Sequence, residues 1–298
     1  MRRLTGNTWN SHLLYRNIGV LFFLLLTIVP MGLGLLYAFL YSVGITGSLN
    51  NGFTWMHWQA IWSTGSFVNS LWTSLWVATV SLSLSTFVAL GVSLYLFGGV
   101  SKGPRQSSSI FYLPLSIPAL LAAFLTFQFL GSSGILARVF VRLGVVANIE
   151  SFPSLVNDSC AIGIIVTQVL MTFPFLTLLF ASLYQSNQLG ALGQVAKTLG
   201  ASVRQIRLRV TVPILLKEAK PNLILFFIIL MSSYEIPLLL GRQSPMMISV
   251  LIGQKFKKFN LSDLPQAYAM TVIYAIFMLI LVAFALKTTH KSIPNKEA

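Results

Sequence analysis

Long apolar stretches separated by short clusters of charge run the length of the chain. No Asp, Glu, Lys or Arg stands between Arg16 and Lys102, between Arg105 and Arg138, between Asp158 and Lys197, or between Asp263 and Lys287. A membrane-crossing helix needs about 20 predominantly apolar residues, so the first stretch is too long for one crossing. Its middle, Gly44 to Gly65, holds Ser48, Asn50, Asn51, Gly52, His57 and Gln59 and reads as an external loop. The pattern predicts six spans: Ile18–Tyr41, Leu71–Phe97, Ile110–Leu130, Ala161–Leu183, Leu223–Leu240 and Tyr268–Leu286. Lipid offers backbone groups no partners, so each span is expected to be helical. A membrane barrel would show short alternating segments instead. Pro30, Pro114, Pro118, Pro174 and Pro237 lie in or beside spans, where neighbouring helices support kinks.

Composition agrees with a membrane protein. Of 298 residues, 55% are hydrophobic and only 9% charged, against about 25% charged in soluble domains. This excludes a soluble enzyme, a disordered chain and a nucleic-acid-binding module, although the net charge is +14. The cations sit between the apolar runs and set an orientation. One side carries Arg2, Arg3, Arg16, Lys102 and Arg105, then Lys197, Arg204, Arg207, Arg209, Lys217 and Lys220, then Lys287, Lys291 and Lys296. The other carries Arg138, Arg142, Arg242, Lys255, Lys257 and Lys258. The richer side is cytoplasmic by the positive-inside rule, which places both termini inside. The first run exceeds the roughly 7–15 residues of a signal-peptide core, and no A-x-A-like site follows it, so an uncleaved span is expected. The organisation expected is a cytoplasmic tail (1–17), a six-helix domain (18–286) with a cytoplasmic loop at 184–222, and a cytoplasmic tail (287–298).

Chemistry-bearing residues are few. One cysteine, Cys160, and three scattered histidines give neither a disulfide framework nor a metal cluster, so no metal or other cofactor is expected. No G-x-x-x-x-G-K-[ST] phosphate loop occurs, so this chain is not expected to bind ATP itself. Glu235 is the sole acid inside a predicted span. A carboxylate at membrane depth costs at least about 2.5 kcal/mol on insertion scales, which marks Glu235, with Ser233 and Tyr234, as candidates for a path through the membrane. Pro237 withholds the N–H that the Ser233 carbonyl would accept, so a local break is expected there. Trp55, Trp58, Trp62 and Trp72 read as an interfacial belt, and the external segment Met246 to Phe259 as an interfacial helix or part of a docking surface for an external protein.

The loop from Tyr184 to Asn222 is locally well specified. Gln194 to Leu199 reads as a short helix ended by Gly200 in the left-handed conformation. Ser202 and Gln205 have capping-box spacing for a second helix, and Pro213 and Pro221 are expected to punctuate the chain before span five. Ala191, Ala196, Gly200 and Ala201 are expected to keep one face small.

Gln194-Val195-Ala196-Lys197-Thr198-Leu199-Gly200, followed nine residues later by Val210-Thr211-Val212-Pro213, resembles the EAA loop of permease subunits of binding-protein-dependent ABC importers, E-A-A-x-x-x-G-x9-I-x-L-P. Ala196, Gly200 and Pro213 match outright. Gln194 replaces the usual Glu, Val195 the usual Ala, and Val210 and Val212 are aliphatic replacements. Ser233 to Gly241, Leu113 to Leu120 and Asp263 to Ala269 are similar to segments of the polyamine, thiamine, ferric-iron and phosphonate group. The resemblance implies a type I importer permease of the bacterial inner membrane. It implies ABC ATPase subunits docked on the inner face, a second permease subunit (identical or homologous), and an external substrate-binding protein. It assigns Gln194, Ala196, Gly200, Ala201 and Pro213 to coupling with the ATPase. The expected cargo is a small polar solute; the charge of Glu235 tilts it toward a polyamine-like cation. The alternatives are a secondary transporter or channel, which the lone intramembrane acid supports thinly, and an integral-membrane enzyme, for which no cluster of acids, His or Cys is visible.

Overall fold

The computed structural model describes residues 8–47, 52–96, 110–258 and 260–290. Ser48, Asn50, Asn51, Lys102, Arg105, Phe259, Arg2, Arg3, Lys291 and Lys296 lie outside the described residues, as do the ends of both expected tails. All regular structure among the described residues is helical: α1 (Thr8–Ser42), α2 (Met56–Ser63), α3 (Ser66–Leu96), α4 (Ala119–Leu130), α5 (Ile135–Arg142), α6 (Ile162–Ser186), α7 (Leu189–Thr198), α8 (Val203–Ile206), α9 (Val212–Met231), α10 (Glu235–Leu240), α11 (Ile248–Lys257) and α12 (Asp263–His290).

Five segments are long and apolar enough to cross a membrane: Gly19–Ser42, Ser66–Leu96, Ala119–Arg142, Ile162–Ser186 and Asp263–Lys287. Four match expected spans. The expected third span starts later, because residues 110–116 form tight turns and α4 begins only at Ala119. Its prolines explain this: Ile117, ahead of Pro118, is pushed to φ −84°, ψ 123°, an extended conformation that a helix cannot continue. The expected fifth span is not one helix. It divides at Ser232–Tyr234 into α9 and α10, and α9 carries Lys217, Glu218 and Lys220 in its first half.

The chain divides into two units, Met1–Thr64 with Gln254–Ala275, and Gly65–Gly253 with Ile276–Ala298. In the first, the Tyr41 and Tyr268 rings lie 4.4 Å apart, and Phe256 meets Tyr268 edge-on at 4.9 Å. Lys255 Nζ donates to Asp263 Oδ1 (3.1 Å) and Gln266 Oε1 (2.8 Å). Trp58 Nε1 donates to Ser42 Oγ at 3.2 Å, so this member of the expected belt has a structural partner within the chain.

The second unit is organised by a stripe of small residues. Ser70, Ser74, Ala78, Ser81, Ser85, Ala89 and Ser93 recur at spacings of three and four on α3, and all are buried. This face packs against α6. Small side chains let helices approach closely where lipid supplies no hydrophobic drive, and hydroxyls can bond across the contact. Ser93 Oγ donates to the Thr177 carbonyl (3.1 Å), and Ser74 Oγ accepts from the Ile248 N–H (2.8 Å). The opposite face of α3 presents exposed Trp72, Trp76 and Phe87. Asp158 caps α6 by accepting from the N–H groups of Cys160 and Ile162, both at 2.9 Å. Met247, Ile248 and Val250 are buried, so the start of α11 is a core element rather than the interfacial helix expected. The burial of these side chains, with Ser74 taking the first N–H of α11, accounts for the difference.

Candidate functional site

Two places in the second unit bring the sequence-selected residues into defined geometry. The first is the hinge between α7 and α8. Gly200 has φ +86°, and the N–H groups of Gly200 and Ala201 donate to the carbonyls of Lys197 and Ala196, both at 3.0 Å. This is the left-handed termination that the sequence implies. The capping box is also present: Ser202 N–H donates to Gln205 Oε1 (2.8 Å), and Gln205 N–H to Ser202 Oγ (3.3 Å). A Cβ at Gly200 would meet nothing within 4 Å, so the glycine answers a conformational need and not a spatial one.

Leu189 and Gly193 are buried; a Cβ added at Gly193 would sit 3.5 Å from Ile206 Cγ2. A second face of α7, roughly a quarter-turn round the helix from the buried one, carries larger side chains. Leu192, Val195 and Leu199 line it at helical spacing, exposed, with Leu199 reaching 82%. Exposed Val203 and Leu208 follow beyond the hinge. Gln194 is exposed on α7, Ala196 and Ala201 are half-buried at the turn, and Pro213 is exposed in the first turn of α9.

The prolines do not interrupt the chain as expected. α8 continues through a π-helical segment, Arg207–Thr211, directly into α9, and Pro221 lies within α9. Pro213 has no N–H for the carbonyl four residues earlier, and the wider turn shifts the pairing: Val212 N–H donates to the Arg207 carbonyl, five residues back.

The second place is a cavity of about 480 Å³ at the break between α9 and α10. It brings Ser233, Tyr234 and Glu235 together with Gln168 and Thr172 of α6. The expected orphan at Ser233 is real, and its replacement donor is the Ser249 hydroxyl of α11. Tyr234 is held against Gly253, where an added Cβ would lie 2.7 Å from Tyr234 Cε2. Glu235 begins α10, is exposed, and is the sole charged one among the described residues that line the cavity.

Gln168 was not singled out from sequence. It is 1% exposed. Its Nε2 donates to the Leu230 carbonyl (3.2 Å), the carbonyl that also accepts Ser233 N–H at 3.3 Å where the helix ends. Its Oε1 has no hydrogen-bond partner among the described residues, where an unsatisfied buried acceptor costs about 1–3 kcal/mol. A lone amide in a span of apolar residues and threonines was the available signal. No group of three or more His, Cys, Asp or Glu that could hold a metal occurs among the described residues.

No protein-family model matches the chain, and no curated protein matches it. Solved structures do. One chain of the crystal structure of a bacterial ABC transporter involved in the import of the acidic polysaccharide alginate superposes with a TM-score of 0.72 at 19% identity, covering 96% of this chain and 97% of that one. A chain of the bacterial alginate ABC transporter in complex with an alginate pentasaccharide-bound periplasmic protein gives 0.69 at 20% identity, covering 95% and 96%. The fold is therefore that of a chain found in a bacterial ABC importer.

Proposed function

We propose that this chain is the membrane-spanning permease subunit of an ATP-driven ABC importer. The observation that carries the reading is the hinge. A short helix ends on a left-handed glycine and presents Leu192, Val195 and Leu199 outward from a basic loop. An exposed apolar stripe of this kind marks a contact surface, and α7 is held at its base by buried Leu189 and Gly193, as a rigid lever requires. The fold shared with chains of the alginate importer supports the same reading.

In this reading the loop 184–222 is cytoplasmic, and Gln194, Ala196, Gly200, Ala201 and Pro213 belong to the contact with the ATPase. Six crossings are made, the fifth jointly by α9 and α10. Both termini are cytoplasmic and the protein lies in the bacterial inner membrane. A second permease, identical or homologous, completes the path, and an external binding protein delivers a small polar solute. Hydrolysis belongs to the ATPase, and the permease itself holds no cofactor.

One observation favours a secondary transporter instead: the break at Ser232–Tyr234, a device such proteins place at their binding sites. Isolating the tagged full-length chain in mild detergent and identifying what accompanies it separates the two. A co-isolated chain carrying a G-x-x-x-x-G-K-[ST] loop in comparable molar amount supports the importer. The chain alone, still transporting when reconstituted, overturns it.

A further inference from the structure

A separate cavity of about 420 Å³ lies at the other end of the helix pair α4 and α6, lined by residues from the end of α4, the start of α5 and the approach to α6. α6 is an uninterrupted apolar helix of 25 residues that begins at Ile162 behind the Asp158 cap. Ser154 and Asn157, just ahead of that start, line the cavity, so it stands at a membrane–water boundary. Gln128, Ser132 and Ser133 add polar groups, and Arg138 is the sole charged one among the described residues that line it.

The helix that carries Arg138 is built for the same boundary. α5 buries Ala137 and sets the Phe140 ring 5.9 Å from that of Phe152. Away from this contact, Ile135, Val139 and Leu143 recur at every fourth position and are exposed. Arg138 and Arg142, one turn apart, flank the stripe and are exposed too. Arg138 Nε donates to the Ser133 carbonyl (3.3 Å), which holds the guanidinium at the cavity and leaves its terminal nitrogens for a ligand. Neither arginine has an ion-pair partner among the described residues. Asp158, beside Asn157, has both oxygens engaged by the N–H groups of Cys160 and Ile162. Glu150, in the turn that packs on α5, is exposed and forms no ion pair among the described residues.

We propose that α5 and this cavity bind an anionic phospholipid, on the outer leaflet in the orientation given above. Arg138 takes the phosphodiester, whose paired oxygens match the guanidinium fork, and Arg142 adds a second positive charge. The serines and amides of the cavity face the polar headgroup, and Ile135, Val139 and Leu143 lie against the acyl boundary. Charge and apolar stripe together select a lipid, because a free anion would use the arginines alone. The site goes beyond the permease reading and needs only that the chain crosses a membrane.

The test titrates phosphatidylglycerol or phosphatidylcholine into delipidated full-length protein in dodecyl maltoside and counts bound lipid by native mass spectrometry. The expected result is about tenfold tighter binding of phosphatidylglycerol, as one charge-assisted hydrogen bond gives, lost in Arg138→Gln. Lys258→Gln removes an exposed cation elsewhere and should leave binding unchanged. Arg138→Lys keeps the charge without the fork; it should lose part of the preference, and it replaces the Gln variant if that fails to elute like the parent. Val139→Ser should weaken both lipids alike. Equal binding of the two lipids, equal losses in Arg138→Gln and Lys258→Gln, or displacement of the lipid by millimolar inorganic phosphate overturns the site, the last by showing that it holds a free anion. The titration needs neither ATPase nor uptake, so the lipid site can fail while co-isolation of an ATPase upholds the permease reading, and the reverse.

Discussion

Replacing Gly200 tests whether the hinge between α7 and α8 depends on backbone conformation alone. At φ +86° an L-residue brings its Cβ against the following carbonyl, at about 1–2 kcal/mol for a single residue. No clash adds to this, since a Cβ there has open space around it. The expected order of disturbance is therefore set by left-handed tolerance: Asn least, Ala next, and Val most, because its branched Cβ is stiffest. A cost of 1–2 kcal/mol corresponds to roughly a 5–30-fold change in a local equilibrium. The observable is the pair of turn-closing amides, Gly200 and Ala201, which donate to Lys197 and Ala196. Hydrogen exchange of the full-length chain in nanodiscs, followed in peptides spanning 195–206, should show protection falling by that factor in Gly200→Val and hardly at all in Gly200→Asn. Peptides of α3 and α6 should be unchanged. Equal protection in the parent and the Val variant would refute the reasoning, because it would mean that the turn does not constrain the hinge.

Other consequences follow from packing. Ser74→Ala leaves the buried Ile248 N–H without its acceptor and should destabilise by about 1–3 kcal/mol, whereas Ser81→Ala removes a buried hydroxyl that has no partner among the described residues and should be neutral or slightly stabilising; thermal unfolding of the two variants in one detergent compares them, and equal losses would contradict the assignment. Gly253→Ala drives a methyl into the Tyr234 ring and should cost about 1–3 kcal/mol, while Gly91→Ala, in open space on α3, should not; matching melting temperatures for the two would show that the ring is not held there.

Signals that act within one turn are legible in the sequence. The positive φ of Gly200 and the reciprocal Ser202–Gln205 bonds follow from residue types a few positions apart. Prolines are less legible. Pro118 and Pro237 break helices, but Pro213 and Pro221 sit inside a continuous one; at Pro213 a π-helical turn at Arg207–Thr211 absorbs the missing donor. Nothing in the sequence announces such a turn.

Partners distant in sequence were out of reach. The orphan carbonyl of Ser233 was legible from Pro237, but its donor, Ser249, was not. Ser233, Tyr234 and Glu235 were legible as a candidate group. Gln168, more than 60 positions earlier, enters only because the packing of α6 places its amide at the end of α9. The apolar face of α7 is legible too, since Leu192, Val195 and Leu199 are spaced as one helical stripe.

The most direct measurement compares the ATPase retained by the tagged parent chain and by Leu199→Asp after mild solubilisation. Leu199 is 82% exposed, so the charge carries little folding cost within the chain. The account predicts that the parent retains an ATPase subunit, and that Leu199→Asp, present in the membrane at the parental level, loses most of it. Equal retention by both chains, or no ATPase on the parent, would contradict the account.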